Sequence, residues 1–133
     1  MTVSNDKYQV FLSHATVDKW VAKRMCEQIE GTGANYFRDD RDIDGGDDIS
    51  DEIKSAISRS EDFVVLLTPQ SLNRQWVLIE MGAAWSFDKR IVVILYQIDA
   101  DLIPKTFARR KAIQLNDFDE YIAELSERIG ETK

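Results

Sequence analysis

One charged residue stands in a stretch in which nine of twelve residues are apolar, Trp76-Val77-Leu78-Ile79-Glu80-Met81-Gly82-Ala83-Ala84-Trp85-Ser86-Phe87. An ionised carboxylate in such surroundings is costly unless it is paired or hydrogen-bonded. Acids held in that state are often the working groups of a site. Trp76 precedes Glu80 by four residues, one helical turn, which sets indole and carboxylate on one face. Such a pair can stack a flat ring and present negative charge to it. The competing account is structural, with Glu80 pairing an arginine or capping a loop. Ser13, His14 and Thr16 form a second polar group between the apolar run Tyr8–Leu12 and a helix. Amides that open a helix suit an anion such as a pyrophosphate. His14 taken alone is read as a polar loop residue. Asp40-Arg41-Asp42-Ile43-Asp44-Gly45, with Asp51 in the twelfth place, resembles the start of a calcium loop. A strand precedes it where a helix is required, Asp47 replaces an apolar residue, and the last ligand is not glutamate. A solvated loop hinged at Gly45-Gly46 is expected instead. Cys26, beside Met25 on an apolar helix face, is a packing residue.

The elements that must position these groups follow from apolar periodicity. Tyr8–Leu12 is a strand, and Val17 and Asp18 are a staple and N-cap for a helix burying Val21, Ala22, Met25 and Ile29. Gly31-Thr32-Gly33 stops that helix. Ala34–Arg38 is a second strand, and a helix follows from about Asp48 to Ser58 with acids crowding its start, where the helix dipole favours them. Phe63–Leu67 and Ile91–Tyr96 are continuous apolar runs, the pattern of strands buried on both faces. Between them Trp76–Phe87 is a helix whose apolar circumference predicts burial nearly all round. Lys111–Leu115 is a fifth strand. Asp117 and Glu120 resemble a capping box for a last helix with Phe118, Tyr121, Ile122, Leu125 and Ile129 inward.

Five strands alternating with helices imply a parallel sheet covered on both faces, and ligands of such sheets bind beyond the carboxyl ends of the strands. The search for function therefore narrows to Ser13–Thr16, Arg38–Asp48 and Thr68–Trp76. The 133 residues suit one domain, read as residues 1–133 with a core over 8–129. Acidic residues number 24 against 17 lysines and arginines, a net charge of −7, which disfavours nucleic acid as a partner. One cysteine and one histidine leave no cysteine-rich or paired-histidine metal site. No apolar run approaches the ~18 residues of a membrane span, and the first ten residues are too polar for a signal peptide. A cytoplasmic protein without a membrane partner is expected. No phosphate-cradling glycine motif follows a strand, and the third strand ends in Leu67-Thr68-Pro69 without the aspartate of a receiver domain.

In order and spacing, three segments resemble a Toll/interleukin-1 receptor (TIR) domain. They are Val10-Phe11-Leu12-Ser13-His14 with Asp18, the glycine-paired loop Arg38–Asp48 in the place of the family's BB loop, and Leu67-Thr68-Pro69 through Trp76 to Glu80. Val77 stands where receptor-type members often have cysteine, and Glu80-Met81-Gly82-Ala83-Ala84 is similar to bacterial members. The resemblance implies a flavodoxin-like three-layer α/β/α sandwich with a five-stranded parallel sheet in the order 2-1-3-4-5. It also implies one of two roles. Some members are scaffolds acting through TIR–TIR contacts; others cleave NAD at the nicotinamide–ribose bond with a glutamate four residues after a tryptophan, as Glu80 follows Trp76. On the enzymatic reading NAD is substrate and no cofactor or metal is needed. Glu80 is then the catalytic residue, Trp76 stacks on a ring of the dinucleotide, Phe11, Ser13 and His14 line the nicotinamide side, and Arg38 or Arg41 offsets the pyrophosphate. Asp44, Gly45 and Gly46 of the BB loop are expected to serve self-association that switches activity on, and bacterial antiphage immunity is the implied setting. Hydrolysis to ADP-ribose, cyclisation and base exchange all share that first cleavage of the nicotinamide–ribose bond.

Overall fold

A computed structural model describes residues 8–38, 51–103 and 111–131. Strands β1 (Gln9–Ser13), β2 (Asn35–Arg38), β3 (Asp62–Leu67), β4 (Arg90–Leu95) and β5 (Lys111–Gln114) alternate with helices α1 (Lys19–Glu30), α2 (Asp51–Arg59), α3 (Gln75–Ser86) and α4 (Phe118–Glu131). The strands form one sheet in the order β2-β1-β3-β4-β5, with every neighbouring pair parallel. This is the expected flavodoxin-like arrangement, and the two apolar runs are its centre: β3 lies between β1 and β4, with all six residues buried.

The strand period of two divides the core into two layers. Val10, Leu12, Val64, Leu66, Val92 and Ile94 face α1 and α4, meeting Met25, Ile29, Tyr121 and Leu125. Phe11, Phe63, Val65, Leu67, Val93 and Leu95 face the other way, against Ile53 and Ile57 of α2 and Val77 and Met81 of α3. Each large side chain removed from water in this way contributes about 1.5–3 kcal/mol, so both layers stabilise the sheet between its helices.

Two features differ from the sequence expectation. Asp18 stands at the N-cap of α1 but makes no side-chain cap bond; its carboxylate is engaged elsewhere, as described below. The α3 helix is not buried all round. Val77, Glu80, Met81 and Ala84 point inward at helical spacing, while Leu78, Ile79 and Trp85 are more than one-third exposed. An outer-layer helix meets its sheet along one stripe whatever the composition of its other side.

At the amino edge of the sheet, Asp62 is fully buried and accepts hydrogen bonds from Tyr8 Oη at 2.8 Å, Tyr121 Oη at 2.7 Å and Arg90 at 3.0 Å. Arg90 also pairs with Glu124. This cluster clamps α4 to β1, β3 and β4. Burial, reinforced by the charge of Asp62, raises the pKa of both tyrosines well above the ordinary value. They are held as neutral donors.

Candidate functional site

The carboxyl edge of the sheet brings Ser13 and Glu80 into contact. β1 ends on Ser13, in register with Val65 of β3. β3 runs out through Thr68 into a short turn, Ser71–Asn73, and extended backbone at Arg74 leads directly into α3. Glu80 shares the inward stripe of that helix with Val77, Met81 and Ala84, which is why a charged residue comes to be fully buried. Its carboxylate lies against the end of β1, where Ser13 Oγ donates a hydrogen bond to Glu80 Oε1 at 2.5 Å. Both side chains are completely removed from solvent, so this hydrogen bond operates where water does not compete.

The neighbouring loop residues are equally enclosed. His14 is 2% exposed, and its Nδ1 lies 2.7 Å from the carbonyl of Ala15. A carbonyl only accepts, so Nδ1 carries a proton there. Thr68 Oγ1 donates to Asp18 Oδ2 at 2.6 Å. The Thr68 amide donates to Ser71 Oγ at 2.8 Å, and the Ser71 amide donates back to Thr68 Oγ1 at 3.2 Å. Ser71 Oγ in turn donates to the carbonyl of Leu66 at 3.1 Å. Asp18, Thr68 and Ser71 are all buried. The network joins the turn after β3 to the start of α1.

Of the residues singled out in the sequence, the structure brings together Glu80 and Ser13, with His14 next in the chain. Phe11 is fully buried in the sheet core. It stacks on Phe37 and Phe63 with ring centres 5.4 Å apart in each case, two residues before Ser13 on the same strand. Arg38 ends β2 in register with Leu12, on the same edge, and is half-buried. Trp76 lies in the first turn of α3, one turn before Glu80; its side chain is outside the described structure. Arg41, Asp44, Gly45 and Gly46 lie outside the described residues, as does the calcium-like loop apart from Asp51 at the start of α2. Among the described residues no cluster of histidine, cysteine and carboxylate side chains could hold a metal ion, and no helix is long and apolar enough to cross a membrane.

A cavity of about 310 Å³ opens on the opposite layer, between α1 and α4, lined among others by Trp20, Arg24, Tyr96, Asn116 and Asp119. It contains no part of the Glu80 group. Sequence reading missed both this cavity and the Asp18–Thr68–Ser71 network. The one visible signal for the network was the Thr-Pro-x-Ser pattern ending a buried strand, since such hydroxyls bond nearby backbone.

The family model described as TIR domain matches residues 10–129. A curated relative, "NAD(+) hydrolase TcpC" of Escherichia coli, is 26% identical over 108 residues, covering 77% of this chain and 35% of that protein. The aligned region thus spans about a third of that relative. Among solved structures, the TIR domain of the Toll-related receptor TRR-2 from Hydra magnipapillata superposes with a TM-score of 0.69 at 21% identity, over 91% of this chain and 96% of that one. A metazoan TIR-STING receptor from C. gigas gives a TM-score of 0.72 at 23% identity, over 95% of this chain and 42% of that one. At such identities the superpositions speak to fold alone.

Proposed function

This chain belongs to the TIR-domain family, and we propose that it is an NAD glycohydrolase in which Glu80 is the catalytic residue. The observation that carries the reading is the buried Ser13–Glu80 contact at the carboxyl edge of the sheet, one helical turn after Trp76. The naming of a bacterial relative as an NAD(+) hydrolase supports it. So does the economy of the reaction. Ordinary glycoside hydrolysis uses a second acid to protonate the leaving oxygen. The nicotinamide of oxidised NAD is already cationic at its glycosidic nitrogen. When the bond from ribose C1′ to that nitrogen breaks, the electron pair returns to the ring and neutral nicotinamide leaves without a proton. Charge develops on the ribose, and one buried carboxylate stabilises it electrostatically. Water then adds its oxygen to C1′ and releases a proton, giving ADP-ribose; capture by the adenine ring instead gives a cyclic product.

Trp76 stacks on a ring of the dinucleotide in this reading, Ser13 and His14 border the nicotinamide side, and Arg38 or Arg41 neutralises the pyrophosphate. A fully buried carboxylate touches no ligand until something moves. Self-association through Asp44, Gly45 and Gly46 supplies that movement, in a cytoplasmic immune response of the antiphage kind. Incubating concentrated protein with NAD and following nicotinamide by chromatography tests the activity. Release by the wild type and its loss in Glu80→Gln is the expected result. A TIR scaffold acting only through contacts between domains is the second reading, favoured by the exposed apolar side of α3. It predicts assembly without nicotinamide.

A further inference from the structure

Two hydrogen bonds tie the connection after β1 to the segment that carries Glu80. At its near end Ser13 Oγ donates to Glu80 Oε1. At its far end Asp18 Oδ2 accepts from Thr68 Oγ1, and Thr68 is locked by reciprocal bonds to Ser71 three residues later. These contacts close a ring: from Ser13 along the chain to Asp18, across to Thr68, along the turn and α3 to Glu80, and back to Ser13. Every side chain at a crossing point is buried. An aspartate at the head of α1 ordinarily caps the helix. Here its carboxylate makes no cap bond and is committed to the tertiary contact.

We propose that Asp18 and Thr68 are positioning residues, which hold Ser13 on the Glu80 carboxylate by fixing the far end of the β1–α1 connection. The proposal rests on the reading of Glu80 as the catalytic group. Opening the Asp18–Thr68 bond releases the far end of the His14–Asp18 connection, so that Ser13 is steadied only by its register on Val65 of β3. The carboxylate is then less well oriented, and small misplacements in a site are costly: about a tenfold loss of rate is expected, and more for larger displacements.

The test is a double-mutant cycle on NAD cleavage with Ser13→Ala, Thr68→Val and the double variant, assayed well below their melting temperatures. Residues acting as one unit do not add. Ser13→Ala and Thr68→Val each lower kcat by about tenfold while KM stays within about twofold of wild type, the pattern of an interaction made in the transition state. The double variant is no slower than Ser13→Ala, and Thr68→Ser, which restores the hydroxyl, recovers the rate. Single effects that multiply in the double variant overturn the proposal, as does a Thr68→Val enzyme with wild-type kcat or a Thr68→Ser enzyme as slow as Thr68→Val. Should Thr68→Val not fold, Asp18→Ala, which removes the acceptor, takes its place in the cycle under the same criteria. A wild type that releases no nicotinamide, or a Glu80→Gln variant that keeps turning over, overturns the catalytic reading itself and is seen before Thr68 is touched.

Discussion

Replacing Glu80 by glutamine keeps the shape of the side chain and removes its charge, which separates chemistry from packing. The carboxylate is fully buried and held by Ser13 Oγ at 2.5 Å. A unit charge developing on a ribose about 4 Å away interacts with it by about 4 kcal/mol at an effective dielectric of about 20. At about 1.4 kcal/mol per decade, losing that term slows cleavage by roughly three orders of magnitude. The folding cost is much smaller. Glutamine Oε1 still accepts from Ser13, and exchanging one hydrogen-bonded group for another is worth about 1 kcal/mol or less, a few degrees in melting temperature for a domain of this size. Nicotinamide release and thermal unfolding, measured on the same preparation, give both numbers. Turnover within about tenfold of wild type would refute the electrostatic role. A drop in melting temperature beyond about 10 °C would assign Glu80 to a buried ion pair, where stranding the partner's charge costs about 3–5 kcal/mol.

Ser13→Ala removes one donor from the buried carboxyl group of Glu80, so it should destabilise the fold by about 1–3 kcal/mol, more than Glu80→Gln does; denaturant unfolding of the two variants checks the order. The tyrosines on Asp62 predict an alkaline limit to stability. Their pKa values are raised in the folded state, so the unfolded chain releases protons first; stability is full below about pH 10 and falls as pH rises above it. For Tyr121 the slope approaches about 1.4 kcal/mol per pH unit, and Tyr121→Phe should flatten it while lowering stability at neutral pH. Hydrogen exchange over residues 38–48 should slow when dilute protein is brought to assembling concentrations; equal protection in the two states removes the loop from the self-association surface.

The sheet was legible because Phe63–Leu67 and Ile91–Leu95 are apolar without interruption. Such runs, separated by a helical segment, have few places to go except the middle of a parallel sheet. Glu80 was legible for the complementary reason, a charge set where composition predicts none. Its partner was not. Ser13 lies 67 residues away in sequence, and only the register of β1 on β3 together with the inward stripe of α3 brings the two side chains into contact. Asp18 misled because local propensity favours a helix cap and a tertiary bond to Thr68 took precedence. The outer side of α3 misled for a different reason: hydrophobic composition states that a surface is apolar, not what covers it. Trp85 and Phe87 remain about half exposed, an apolar surface of the kind that marks contact sites.

The central claim is that a TIR domain with this Ser13–Glu80 pair breaks the nicotinamide–ribose bond of NAD. Its most direct test is the rate of nicotinamide release by the wild-type chain across a range of protein concentrations, followed by chromatography alongside light scattering to record assembly. Release is expected to rise more steeply than protein concentration as assemblies form. Assemblies that form while NAD stays intact would contradict it.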